Sequence, residues 1–163
     1  MNPYNYSRAV TDPKMFFGRR ELVDHIVERI TDFDPQSFAI YGGRRAGKTS
    51  IMRMIERRLN DRLDAGMQPI VVPLYMDLHM DPPQSSPDFF QRLLNRLDEW
   101  KEGTLGDLEP LPALNDTAPA TSFADIFREL HRRTIPKLGG VKLALLVDES
   151  EKLQRPDWTN DLD

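Results

Sequence analysis

Ser37-Phe38-Ala39-Ile40-Tyr41-Gly42-Gly43-Arg44-Arg45-Ala46-Gly47-Lys48-Thr49-Ser50, residues 37–50, decides how the rest of the chain is read. Residues 37–41 form a short apolar run that stops at a glycine turn, which predicts a buried strand. Beyond the turn, Ile51, Ile55, Leu59 and Leu63 recur every four residues, which predicts a helix over 49–63 closed by Ala65-Gly66. Between strand and helix stands G-x-x-x-x-G-K-[ST]. Its spacing has a physical basis. Gly42 and Gly47 permit backbone angles that turn successive N–H groups onto one anion. The helix N-terminus adds unpaired donors and a partial positive charge. Lys48 then reaches the outer phosphates of a nucleotide, and the Thr49 hydroxyl is a ligand for Mg²⁺, which keeps most of its waters.

Upstream, Leu22, Val23, Ile26, Val27 and Ile30 fall at helical spacing and predict a helix over 20–31. Residues 1–14 read as an extended lead-in, and Asp32 to Gln36 as a turn. Downstream, Ile70 to Leu78 predicts a second strand, and Pro73, lacking a backbone donor, places it at a sheet edge. Ser86-Pro87 predicts an N-cap and first helical residue. The stripe of Phe89, Phe90, Leu93, Leu94, Leu97 and Trp100 carries that helix to about Lys101 as core. Residues 103–120 read as a long mobile insertion. A further helix spans Phe123 to just before Pro136, Gly139-Gly140 turns the chain, and Val141 to Val147 predicts a third strand. The alternation of strands and helices predicts an α/β domain with a parallel sheet flanked by helices.

The third strand runs Leu143-Ala144-Leu145-Leu146-Val147 into Asp148-Glu149-Ser150. A continuous apolar run suits a strand buried on both faces. Its end delivers two carboxylates to the sheet edge where the glycine turn lies, and open α/β sheets bind ligands at that edge. Asp148 would hold Mg²⁺ through water, and Glu149 would orient and deprotonate an attacking water. The candidate catalytic residues are therefore Lys48 and Glu149. The candidate metal ligands are Thr49 and Asp148. The candidate nucleotide-binding residues are Gly42, Gly43, Arg44, Arg45, Ala46, Gly47, Lys48, Thr49 and Ser50.

Composition sets the outer bounds. The 163 residues are one domain on the usual size prior and suffice for a sizeable core. Lys and Arg number 22 against 26 Asp and Glu, a net charge of −4, which disfavours a dedicated nucleic-acid or membrane-surface binder. The absence of cysteine excludes disulfides, zinc–thiolate sites and cysteine nucleophiles. No stretch approaches the ~18 apolar residues of a membrane span, and the N-terminus lacks a signal-peptide core. A cytoplasmic protein is expected. His25, His79 and His131 are scattered and predict no metal cluster. Asp77 and His79, near the end of the second strand, are weaker candidates for sensing nucleotide. Arg53, Arg57, Arg58 and Arg62 give a basic helix face that reads as solvated and paired with Glu56 or Asp64.

With Gly42–Thr49 as a Walker A motif and Leu143–Ser150 as a Walker B motif, the chain resembles the P-loop ATPases of the AAA+/STAND group, the latter being signal-transduction ATPases. The resemblance runs from Phe16 to Leu153 and includes Phe17-Gly18-Arg19-Arg20-Glu21-Leu22. These residues are similar to the F-x-G-R-x-x-E-L box, with Glu21 one residue early. In those families the box lies against adenine and ribose, so the resemblance adds Phe17, Gly18 and Arg19 to the candidate nucleotide-binding set. It implies a three-layer fold and ATP or ADP with Mg²⁺ as cofactors. Residues 1–36 would form the lead-in and Gly-Arg box, and 37–150 the core from Walker A to Walker B. The Asp148-Glu149 pair implies a branch in which a further strand, carrying a sensor residue, lies between the Walker A and Walker B strands. The sequence supplies no such strand, arginine finger or lid, so it reads as the N-terminal part of one ATPase domain. Pro156 to Asp163 resembles the start of another helix. The resemblance implies a nucleotide-controlled switch completed by downstream domains or other chains, with homo-oligomers possible. Two alternatives stand beside it: a DNA-acting, origin-recognition-type ATPase, and a nucleotide-binding scaffold without turnover. No N-K-x-D guanine motif occurs, which favours adenine.

Overall fold

A computed structural model describes residues 9–10, 12–80, 82–105, 111–115 and 117–153. Among the described residues, four helices and a two-stranded parallel sheet make a small α/β unit. In chain order these are α1 (Arg20–Thr31), α2 (Lys48–Asp64), β1 (Ile70–Asp77), α3 (Ser86–Leu105), α4 (Pro119–Leu138) and β2 (Val141–Asp148). Short 3₁₀ turns lie at Pro13–Met15 and Ser150–Leu153. β1 and β2 pair in register from Ile70 opposite Val141 to Asp77 opposite Asp148.

The two faces of the sheet bury different helices. Val71 and Tyr75 of β1, with Ala144 and Leu146 of β2, pack with Val23, Ile26, Ile51, Ile55 and Leu59 of α1 and α2. Val72, Leu74 and Met76 pack on the opposite face with Phe89 and Leu93 of α3, joined by Phe123, Leu143 and Val147. This is the period-two alternation of a strand buried on both sides. Leu59 is 1% exposed. Leu59→Ala is expected to cost about 2–5 kcal/mol in urea unfolding, through lost transfer energy and the cavity left behind. A loss below about 1 kcal/mol would mean that α2 does not pack on this face.

Local chemistry explains the element ends. α2 closes on Gly66 at φ 65°, with Gly66 N–H donating to Leu63 O at 2.9 Å and Met67 N–H to Arg62 O at 2.9 Å. That is the paired C-terminal closure that favours a left-handed glycine. The cap of α3 is Ser85, one residue before the expected Ser86. Its hydroxyl accepts from Asp88 N–H at 3.3 Å, and its carbonyl accepts from Phe89 N–H at 3.0 Å.

Three further expectations need correction. The insertion expected over 103–120 is shorter, because α3 continues to Leu105 and α4 begins at Pro119; residues 106–110 and 116 lie outside the described residues. α4 also passes through Pro136 to Leu138. The missing proline donor falls in the last turn, where Gly139, at φ 72°, ends the helix with its N–H on Ile135 O. Third, residues 37–41 do not form a strand. A strand is stabilised by its ladder, and this segment lies across an open cleft from β2 with no strand beside it among the described residues. Among the described residues β1 has only β2 as neighbour, in line with the edge position expected for the Pro73 strand. Of the lead-in, residues 1–8 and 11 lie outside the described residues, as does the helix start expected at 156–163. No described helix is long and apolar enough to cross a membrane.

Candidate nucleotide site at the head of α2

The glycine turn delivers the chain into α2 at Lys48. Gly47 sits at φ 80° as the N-terminal flanking residue, and no side chain caps the helix there. The first amides of α2 are thus left for an external acceptor. Gly47 needs to be glycine for its backbone. At Gly42 the constraint is space: a Cβ there would lie 3.1 Å from the Ala46 Cβ, close enough that one of the two would have to shift. Arg45 takes φ 63°, a left-handed conformation uncommon for a residue with a side chain. Ala46 N–H donates to Gly43 O at 3.1 Å and holds the turn closed. Lys48 folds back over it, with Nζ donating to Gly42 O at 3.0 Å and Gly43 O at 3.4 Å.

The Gly-Arg box lies against the outside of this turn. Arg19 Nη1 donates to Ala46 O at 2.5 Å. Phe16 is buried in the α1–α2 core, whereas Phe17 is 61% exposed, and Gly18 makes the corner at φ 76°. Thr49 is half-buried in the first turn of α2. Ser50 is engaged elsewhere, since its hydroxyl accepts from Val10 N–H at 2.9 Å and ties the lead-in to α2.

Asp148 ends β2 and is 4% exposed. Its side chain shares the sheet face of Ala144 and Leu146, the face covered by α2. Oδ2 accepts from the Tyr75 hydroxyl at 3.0 Å, and Oδ1 accepts from Glu149 N–H at 3.1 Å. Tyr75 sits opposite Leu146 on β1, so its ring reaches Asp148 diagonally across the ladder. The Arg53 guanidinium of α2 stands 3.5 Å from the centre of that ring and pairs with Glu56 at 3.0 Å. Burial, with the Asp148 charge adding to it, pushes the Tyr75 phenol far above its ordinary range. Glu149 turns the chain at φ 58°. A hydrogen bond shared with Glu151, then burial, raises its carboxyl above the usual value.

A cleft of about 1130 Å³ joins these parts. Lys48, Asp148 and Glu149 line it together with residues 35–41 and the free edge of β2. Lys48, Asp148 and Glu149 therefore share one cavity, while Phe17, Gly18 and Arg19 flank the turn from outside. Asp77 is occupied in a local turn, accepting from His79 and Met80 N–H at 3.0 and 3.2 Å. Two of the four arginines on the basic face of α2 are paired within the chain: Arg53 with Glu56, and Arg58 with Asp24 at 3.3 Å. Among the described residues no cluster of three or more potential metal ligands occurs. The buried Asp148 carboxylate, contacted by two neutral donors, suits a hard cation that retains its waters.

Tyr75 and Glu151 are the residues that sequence reasoning missed, and Arg53, read only as part of a solvated basic face, also lies over the Tyr75 ring. A signal for Tyr75 exists. A phenol inside a largely buried strand needs a hydrogen-bond partner, and a carboxylate at the end of the neighbouring strand is within its reach. No protein-family model, curated protein or solved structure matches this chain.

Proposed function

We propose that the chain is an ATP-binding, Mg²⁺-dependent P-loop module that acts as a nucleotide-controlled switch for partner domains. The observation that carries the reading is the convergence of an uncapped helix N-terminus, Lys48 and the buried Asp148 on one cleft. In this reading the amides at the head of α2 donate to phosphate oxygens. Lys48 exchanges the carbonyls of Gly42 and Gly43 for the outer phosphates. Thr49 and Asp148 orient a hydrated Mg²⁺, which would screen phosphate charge. Glu149 accepts the proton of the attacking water once it leaves Glu151. The open edge of β2 is where a further strand, from a downstream domain or another chain, would complete the core.

Glu149→Gln is expected to leave ATP affinity near wild type in calorimetry and to lower hydrolysis of labelled ATP by about 10²–10⁴-fold, the usual contribution of a general base. Asp148→Asn should weaken binding in Mg²⁺ as well. Wild-type turnover in both variants would remove the Asp148-Glu149 pair from the mechanism.

One feature favours a second reading, a nucleotide-binding scaffold without turnover: the neighbouring Glu151, then burial, raises the Glu149 carboxyl above its usual range and so favours its protonated form. Turnover by the intact protein separates the two. The DNA-acting alternative loses support, because two of the four arginines it would use, Arg53 and Arg58, are paired with Glu56 and Asp24.

A further inference from the structure

The side chain that links the phosphate-facing helix to the β2 carboxylate is Tyr75. It is 3% exposed and projects from β1 onto the face covered by α2. Its ring is clamped from above by Arg53, five residues into the helix that opens at Lys48, and Arg53 is itself held by Glu56. Its hydroxyl takes Oδ2 of Asp148, while the Glu149 amide takes Oδ1. Each carboxylate oxygen thus accepts one donor and keeps acceptor capacity over. The two bonds, one to each oxygen, stop the carboxylate from rotating about its terminal torsion, which is otherwise broad. A phenylalanine would fill the same core volume. The hydroxyl is accounted for by what it does to Asp148.

We propose that Tyr75 is a positioning residue for the divalent cation: its hydroxyl, with the ring fixed by Arg53, holds Asp148 as an oriented ligand before nucleotide arrives. The proposal rests on the nucleotide-site reading above and adds to it a determinant of metal dependence. Free rotation would have to be frozen at the moment of binding, so the loss of the hydroxyl should be felt only where the metal is present. Ligands pre-set in this way bind more tightly because the ordering cost is already met.

The test is ATP titration by calorimetry for wild type, Tyr75→Phe and Arg53→Gln, each in excess Mg²⁺ and again in EDTA. Tyr75→Phe is expected to weaken binding about tenfold in Mg²⁺, the scale of a hydrogen bond to a charged group. Its affinity in EDTA should equal that of wild type. Arg53→Gln, which frees the ring but keeps the hydroxyl, should show a smaller loss confined to Mg²⁺, and it serves should Tyr75→Phe fail to melt cooperatively. Equal losses in Mg²⁺ and EDTA would make Tyr75 a packing residue and overturn the proposal, as would no loss at all. Wild-type protein that binds no ATP in either condition sinks the nucleotide-site reading. Wild-type binding that depends on Mg²⁺, beside unaffected variants, sinks the Tyr75 proposal alone.

Discussion

Lys48→Ala is expected to abolish ATP binding, with affinity falling at least about a hundredfold, on the order of 3 kcal/mol. The side chain supplies a full positive charge from the first residue of α2, on the cleft that Asp148 lines. Its Nζ now rests on the carbonyls of Gly42 and Gly43, neutral acceptors at 3.0 and 3.4 Å. A triphosphate offers charged acceptors in the same reach, and charge-assisted bonds are roughly twice as strong as neutral ones. Little stability should be lost. The bonds given up are exposed, the freed carbonyls return to water, and alanine is the best helix former for the position. Calorimetry on a variant with an unchanged melting curve therefore isolates the ligand term. Unchanged affinity would show that residues 42–49 are a glycine-rich helix start and nothing more.

The sequence made the helices of this fold legible because their signals are local. The apolar spacing from Leu22 to Ile30 predicts a helix over 20–31, and α1 has those bounds. The turn from Gly42 to Gly47 predicts a helix opening at its end, and α2 starts at Lys48. Where the outcome depends on what lies alongside, local pattern fails. Residues 37–41 have a strand's composition, but Phe38 is 39% exposed and Tyr41 90% exposed, because no neighbouring strand pairs with them. The Tyr75–Asp148 bond is invisible for a related reason. Its partners are 73 residues apart in sequence and meet only through the β1–β2 register. Ser50 fails differently. Motif position put it at the nucleotide, but its hydroxyl is taken by Val10, a contact set by the lead-in.

The largest effect on assembly is expected at β2. Leu78 N–H donates to Asp148 O, so the backbone groups of Asp148 face β1. By alternation those of Leu146 and Ala144 do too. Val141 agrees with this parity from the other side, its N and O lying 3.2 and 2.6 Å from His131 Nδ1. Leu143, Leu145 and Val147 must then turn their N–H and C=O groups into the cleft, where no described residue bonds them. Buried, each such group would cost about 1–3 kcal/mol against a total stability of about 5–15 kcal/mol. The cleft is open, so water can serve them, and the edge remains adhesive rather than fatal. Leu145, in the middle of it, is 46% exposed. The chain on its own is expected to self-associate with rising concentration in sedimentation velocity, a second copy pairing with this edge. Two proline substitutions, one residue apart, should part company. Leu145→Pro removes a donor that faces the cleft, so it should yield a monomer that still melts cooperatively. Ala144→Pro removes a ladder donor and orphans a buried carbonyl of β1, so it should lose the cooperative transition. Wild-type protein that stays monomeric throughout, or two proline variants equally damaged, would show that the cleft edge of β2 is not the free edge of a sheet awaiting a strand.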